Sequence, residues 1–387
     1  MRKWLTCLLW LLFATPSLAQ DVNAAVLRID YASFLPISRL ELTGPDHGFA
    51  GGMLATADNN TTGGFLNQTY NTLFVSTAVE DLKATLDTLE GTQIIVVHAR
   101  ATELLEIAQM RPDALILNTA ARDTVQRRTE CLRNVLHITP SNAMRADAVA
   151  QFAALKKWTR VLLVHGSNEA DLVLAQAYRD AALKFGIKIV EEREIRDTGG
   201  SRRTDTGHVL VQRQIPALLQ GAAAHDVVFA ADASDVFAPY LPFHLWDPRP
   251  VMGSAGLRPV SFNSASESWG ATQFQTRFEA LANRPVTQAD YDVWLALRAV
   301  SEAVTRTKKN DAKTLRTYML SDEFKLAAFK GQPVSFRDWN GQMRQPILLF
   351  DGRINASVSP QEGFLHPVSP LDTMGLDRPE TSCEAFQ

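Results

Sequence analysis

The sequence predicts an α/β protein of two lobes, each a mostly parallel sheet covered by helices. Two observations lead there. Short, continuously apolar segments alternate with amphipathic helical stretches, the pattern of parallel strands buried on both faces. At 387 residues and 46% apolar composition, the chain is a folded globule too long for one ordinary core.

The first segment is set apart. Arg2 and Lys3 precede an apolar run over 4–14; Thr15 and Pro16 break it, and Ser17-Leu18-Ala19 offers the small residues of a cleavage site. This predicts a secretory signal over 1–19 with cleavage after Ala19. Cys7 lies inside the apolar run and not at the cut, so no lipid anchor is expected there. The expectation is a free protein of the Gram-negative periplasm.

From there the elements follow in order. Val26-Leu27-Arg28-Ile29 predicts a strand, 46–60 a helix with small residues near its start, and 71–75 a second strand. Thr77-Ala78-Val79-Glu80 has the spacing of a capping box. Val79, Leu82, Leu86 and Leu89 share one helical face, and Gly91 supplies a left-handed stop. Ile94-Ile95-Val96-Val97 predicts a buried strand. Further strands are expected at 114–117 and 135–138, flanking a helical region around Arg122. After Pro140, Met144, Ala148, Phe152 and Leu155 form a helical stripe, and Val161-Leu162-Leu163-Val164 another buried strand. Leu174, Tyr178, Ala181 and Phe185 make the next stripe, closed by Gly186. Strands are predicted over 187–195 and 226–229. A Gly/Ser/Pro-rich stretch, 253–268, ends this alternation. Helices are then expected over 271–282 and 288–305, a hairpin over 334–350 turning at Asn340-Gly341, and an irregular tail from Pro360.

Composition narrows the function. Without Arg2 and Lys3, 37 Lys+Arg face 42 Asp+Glu, which leaves no electrostatic footprint for nucleic acid or anionic membranes. Cys131 and Cys383 remain once Cys7 is removed, and an oxidising compartment predicts that they pair. No phosphate-binding loop, dinucleotide-binding glycine pattern or nucleophile elbow is present. The eight His residues show no metal-ligand spacing, so neither an enzyme nor a required cofactor or metal is expected.

The order of elements resembles the type I periplasmic substrate-binding proteins of ABC transporters, in the leucine/isoleucine/valine-binding group. The closing part carries most of the likeness: Tyr291-Asp292 opening a long helix, Phe329-Lys330-Gly331, Val334-Ser335-Phe336-Arg337-Asp338 and the Asn340-Gly341 turn. Glu130-Cys131-Leu132-Arg133, His137-Ile138-Thr139-Pro140-Ser141 and Cys383 further resemble the subfamily associated with pyrroloquinoline quinone (PQQ)-dependent alcohol dehydrogenase systems. The resemblance implies three crossovers between lobes. Lobe one would comprise 21–140 and 260–338, lobe two 141–259 and 339–375, followed by a tail, 376–387.

It also implies that ligand is held by loops at the carboxyl ends of strands. In lobe one these loops carry Arg100, Asn118, Thr119 and Arg122; in lobe two, Ser167, Asn168 and Asp232. His98 and Arg100 stand where amino-acid binders carry a Ser/Thr cluster. Arg202 or Arg203 and Trp246 complete a set suited to a planar polycarboxylate. Each has a plainer reading: surface arginines, caps for Ser167, Asn168 and Asp232, a solvated loop tip for Arg202-Arg203, packing for Trp246 and core burial for Trp269. The implied function is a receptor that closes over PQQ or a related planar aromatic carboxylate and delivers it to an ABC permease. The alternatives are a sensor or cofactor carrier supplying a PQQ-dependent dehydrogenase, and a hydrolase on the same scaffold.

Overall fold

The computed structural model describes residues 20–32, 42–197 and 211–386. The predicted leader and Arg202 and Arg203 lie outside the described residues.

The first sheet is built from β1 (Gln20–Asp30), β2 (Gln68–Ala78), β3 (Ile94–His98), β4 (Leu115–Asn118) and β5 (Val135–His137), in the order β2-β1-β3-β4-β5. All neighbours are parallel. Between these strands run α1 (Phe49–Gly63), α2 (Leu82–Thr88), α3 (Ala101–Met110) and α4 (Val125–Arg128). Alternation along β1 serves two cores. Ala24 and Val26 face one core, Ala25, Leu27 and Ile29 the other, as expected for a strand buried on both faces.

The predicted helix start at Thr77 is corrected. β1 and β2 pair along all eleven residues, and that ladder takes Thr77 and Ala78 into the strand. The Thr77 hydroxyl donates to the Ala78 carbonyl at 3.2 Å, and a 3₁₀ turn precedes α2. The helix expected around Arg122 is also corrected. Residues 119–124 form a loop, because the Asn118 side chain binds the backbone of Ala120 and Ala121; the helix shrinks to α4.

The second sheet takes β6 (Arg160–Gly166), β7 (Lys188–Ile195), β8 (Val227–Ala231) and β9 (Val251–Gly253), in the parallel order β7-β6-β8-β9. α5 (Asn142–Leu155) and α6 (Glu169–Lys184) cover one face. α7 (Val211–Leu219) and α8 (Leu241–His244) cover the other.

The chain then returns through β10 (Arg258–Val260) to α9 (Ala271–Ala282), α10 (Gln288–Thr307) and α11 (Ala312–Met319), which pack on the first sheet. α1 and α10 touch so closely that a Cβ on Gly51 would lie 1.8 Å from the Asp290 carbonyl oxygen. The predicted hairpin is shorter than expected. β11 (Ser335–Phe336) pairs antiparallel with β12 (Met343–Arg344), but β13 (Ile347–Phe350) departs to join β10 and β14 (Asn355–Ser359) in a three-stranded antiparallel sheet.

Core membership shows where the chain passes between the two sheets. Ile138 belongs to the first core and Met144 to the second; Leu257 packs with the second and Phe262 with the first; Met343 belongs to the first and Ile347 to the second. The last passage therefore falls at 343–347, and not at 339. The tail from Pro360 is irregular apart from short 3₁₀ turns, as expected, but it is anchored in both cores. Leu371 and Met374 are buried in the second core, Cys383 is bonded to Cys131, and Phe386 packs on the first core.

Candidate functional site

The carboxyl ends of β1, β3 and β4 bring Arg28, His98 and Thr119 to one edge of the first sheet, on the face covered by α1 and α10. Arg28 donates to the Pro45 and His47 carbonyls at 2.9 Å each, and its guanidinium lies 4.5 Å from the Phe49 ring centroid. This ties down the loop that carries His47. The His47 and His98 rings meet edge to face at 5.8 Å. Burial pushes His98 down to about 3, helped by His47, Arg122 and Arg28. Burial likewise lowers His47. Both imidazoles are therefore neutral near pH 7, hydrogen-bonding groups and not cations. His98 Nδ1 lies 3.3 Å from Thr119 Oγ1, while His47 Nδ1 is buried with no partner among the described residues.

Beside the crossing segments lies a cluster of cations facing one carboxylate. Arg122, in the loop after β4, is held below the usual guanidinium range by burial, with only Asp292 acting against it. Its Nε is buried without a partner. Arg145, in the first turn of α5 on the second lobe, donates Nε to the Pro259 carbonyl at 3.0 Å. Burial first, then Arg122, pushes Arg145 down to about 9. Burial raises Asp292, which accepts from the Ser261 hydroxyl at 2.7 Å. Lys330 is pushed down by burial to about 7; its ammonium donates to Gln345 Oε1 and, at 3.2 Å, to the Pro346 carbonyl. Two arginines thus confront a single aspartate, with Lys330 beside it, and a buried cation without a full complement of anions favours an incoming one.

The positions expected from sequence divide sharply. Arg122 falls in this cluster. Arg100 is exposed, with its guanidinium 4.0 Å over the Tyr31 ring. Asn118 spends its donors on the Ala121 carbonyl and the His137 ring, and its oxygen on two backbone amides. Thr119 donates to the Val97 carbonyl at 3.0 Å. Ser167 accepts from the Asp197 amide, Asn168 caps α6 with Asp171, and Asp232 accepts from the amides of Val236, Phe237 and Ala238. For Asn168 the capping reading is the one observed, while Asp232 instead holds the loop before the next 3₁₀ turn. Trp246 is 55% exposed and Trp269 57% exposed, so the core burial expected of Trp269 is corrected.

Sequence reasoning missed Arg28, His47, Arg145 and Lys330 as site residues. Arg145 carried one usable signal: it follows the helix cap Ser141 by one turn, immediately after a crossing segment. Among the described residues no group of three His, Cys, Asp or Glu could hold a metal. No described helix is long and apolar enough to cross a membrane.

No family model matches the sequence, and no curated protein matches it. The fold, however, is shared with solved structures. A periplasmic binding protein from Burkholderia mallei aligns over 95% of this chain and 100% of its own, with TM-score 0.68 and 12% identity. A branched-chain amino acid ABC transporter periplasmic ligand-binding protein from Burkholderia xenovorans aligns over 95% and 100%, with TM-score 0.70 and 15% identity. A solute-binding protein of an ABC transporter from R. palustris, solved in complex with benzoate, aligns over 87% and 96%, with TM-score 0.63 and 13% identity. At these identities the likeness is one of fold: the two-lobed α/β architecture of type I periplasmic binding proteins.

Proposed function

We propose that this protein is a periplasmic solute receptor, not an enzyme, whose lobes close over a small anion and present it to an ABC permease. The observation that carries the reading is the buried, unpartnered Nε of Arg122 beside Arg145 from the opposite lobe, with one aspartate between them and the surrounding cations. A ligand anion bridging the two arginines touches both lobes only when they are closed, so it favours that state. Solved proteins of this fold in complex with Leu and with benzoate support a carboxylate ligand.

Within that class we take the cargo to be PQQ or a related planar aromatic carboxylate. Several carboxylates match several arginines, and neutral His47 and His98 suit quinone or ring-nitrogen acceptors and donors. Arg202, Arg203 and Trp246 remain candidates for the far side of such a ligand. Delivery to a PQQ-dependent dehydrogenase would change the partner and not the site. The test is calorimetric titration with PQQ and with benzoate. Arg122→Gln and Arg145→Gln should each weaken binding tenfold to a hundredfold, the worth of one charge-assisted contact. If benzoate binds and PQQ does not, the quinone assignment fails and the receptor reading stands. If neither arginine matters to a ligand that does bind, the site itself is wrong.

A further inference from the structure

A recess of about 600 Å³ is lined by none of Arg122, Arg145, Asp292 and Lys330. Its floor is the outer face of the small antiparallel sheet. Strand alternation sends Ile347 and Leu349 into the second core and leaves Leu348 and Phe350 on the opposite face. Pairing places Val260, Leu348 and Val358 in one row and Arg258, Phe350 and Asn355 in the next. The facing wall comes from the first lobe, where Ser266, Trp269 and Phe329 line the recess. A polar seam joins the walls: Asn263 donates to Asn355 Oδ1 at 2.6 Å, and Asn355 donates to Ser266 Oγ at 3.2 Å.

Two features mark this wall as built. Trp269 and Phe329 have φ of 56° and 55°, and they are the only aromatic residues with positive φ among those described. A bulky side chain in the left-handed region is a true outlier, and such outliers gather at ligand clamps. Each ring also rests on a glycine beside the other. A Cβ on Gly331 would sit 2.6 Å from the Trp269 indole, and one on Gly270 would sit 3.4 Å from the Phe329 ring. The two strained turns hold one another, and the Trp269 indole is left more than half exposed.

The charges at the recess are few. The Arg258 guanidinium lies 5.4 Å from the Phe350 ring centroid. Arg353 and Glu267 also line the recess, with the Asp351 carboxyl held down by the Ile354 amide and in part by Arg353. Neither arginine is in an ion pair with any described residue. An aromatic floor and wall with the Arg258 guanidinium beside Phe350 suits a flat ring bearing one anion. We propose that this recess is a second ligand site, taking a small aromatic carboxylate with its ring against Trp269 and Phe350 and its anion toward Arg258. Because the walls belong to different lobes, occupancy favours the interlobe angle seen here and is linked to binding at the arginine cluster.

The probe is 4-fluorobenzoate, followed by fluorine line broadening on the full chain, with circular dichroism to confirm that each variant folds. In Arg122→Gln, which removes the cluster's unpartnered cation, the probe should still bind. Adding Trp269→Ala should weaken that remaining binding at least tenfold, and Trp269→Phe should restore most of it. Arg258→Gln should cost tenfold to a hundredfold. The proposal is overturned if Arg122→Gln alone abolishes all binding, if folded Trp269→Ala binds as the parent does, or if no form binds the probe.

Discussion

Lys330 is almost wholly buried and beside the crossing segments, and its ammonium is pushed down by burial to about 7 from 10.5. A base depressed in the folded state contributes stability that is fully present above its unfolded value and lost as pH falls through the folded one. Between those limits the unfolded chain binds the extra proton, so stability should rise with pH. Working the two values through the linkage relation gives a change of about 2 kcal/mol between pH 7 and pH 9 from this one group. Lys330→Met keeps the volume and the apolar stem and removes the titration. Urea unfolding of both proteins at pH 7, 8 and 9 reads the difference directly. The gap between them should move by about 2 kcal/mol in favour of the parent as pH rises. Parallel curves would refute the argument, because they would mean that Lys330 stays fully charged at neutral pH and that Asp292 compensates its burial.

Two further outcomes follow from buried contacts. Asp372→Ala should destabilise by about 3–5 kcal/mol on chemical denaturation, because it strands Arg337 and Arg344, whose Nε atoms donate to it at 2.8 and 2.9 Å; a loss below 1 kcal/mol would show that the leucine and methionine carbonyls around Arg337 suffice. Gly51→Ala should lower the thermal midpoint by several degrees, since its methyl group meets the Asp290 carbonyl and must drive α1 and α10 apart; an unchanged midpoint would mean that the helices part freely.

How far the sequence could be read depended on the kind of signal each segment carried. Val161 to Val164 and Ile94 to Val97 announced themselves because a strand buried on both faces has no polar residue to confuse the period. Thr77 misled, because a capping box is a local preference, and pairing along β1 outweighs it. The same limit governed the site. Arg122 was named because it follows a strand end, a position fixed by topology, and it lies in the buried cluster. Arg145 and Lys330 matter only through burial beside the crossing segments, which no local pattern records. Asn168 and Asp232 were equally well placed by topology, yet their polar atoms are consumed by the turns they begin. Trp269 was assigned to the core by its size; its exposure follows from a left-handed backbone that composition does not reveal.

The bond between Cys131 and Cys383 gives the molecule a different connectivity from that of its backbone. The whole second sheet lies between the two cysteines in sequence. A single break of the peptide chain anywhere from 132 to 382 would therefore leave two pieces still joined through sulfur, and neither lobe could diffuse away. The ring encloses every strand of the second sheet, so it can close only after the segment between the two cysteines is in place.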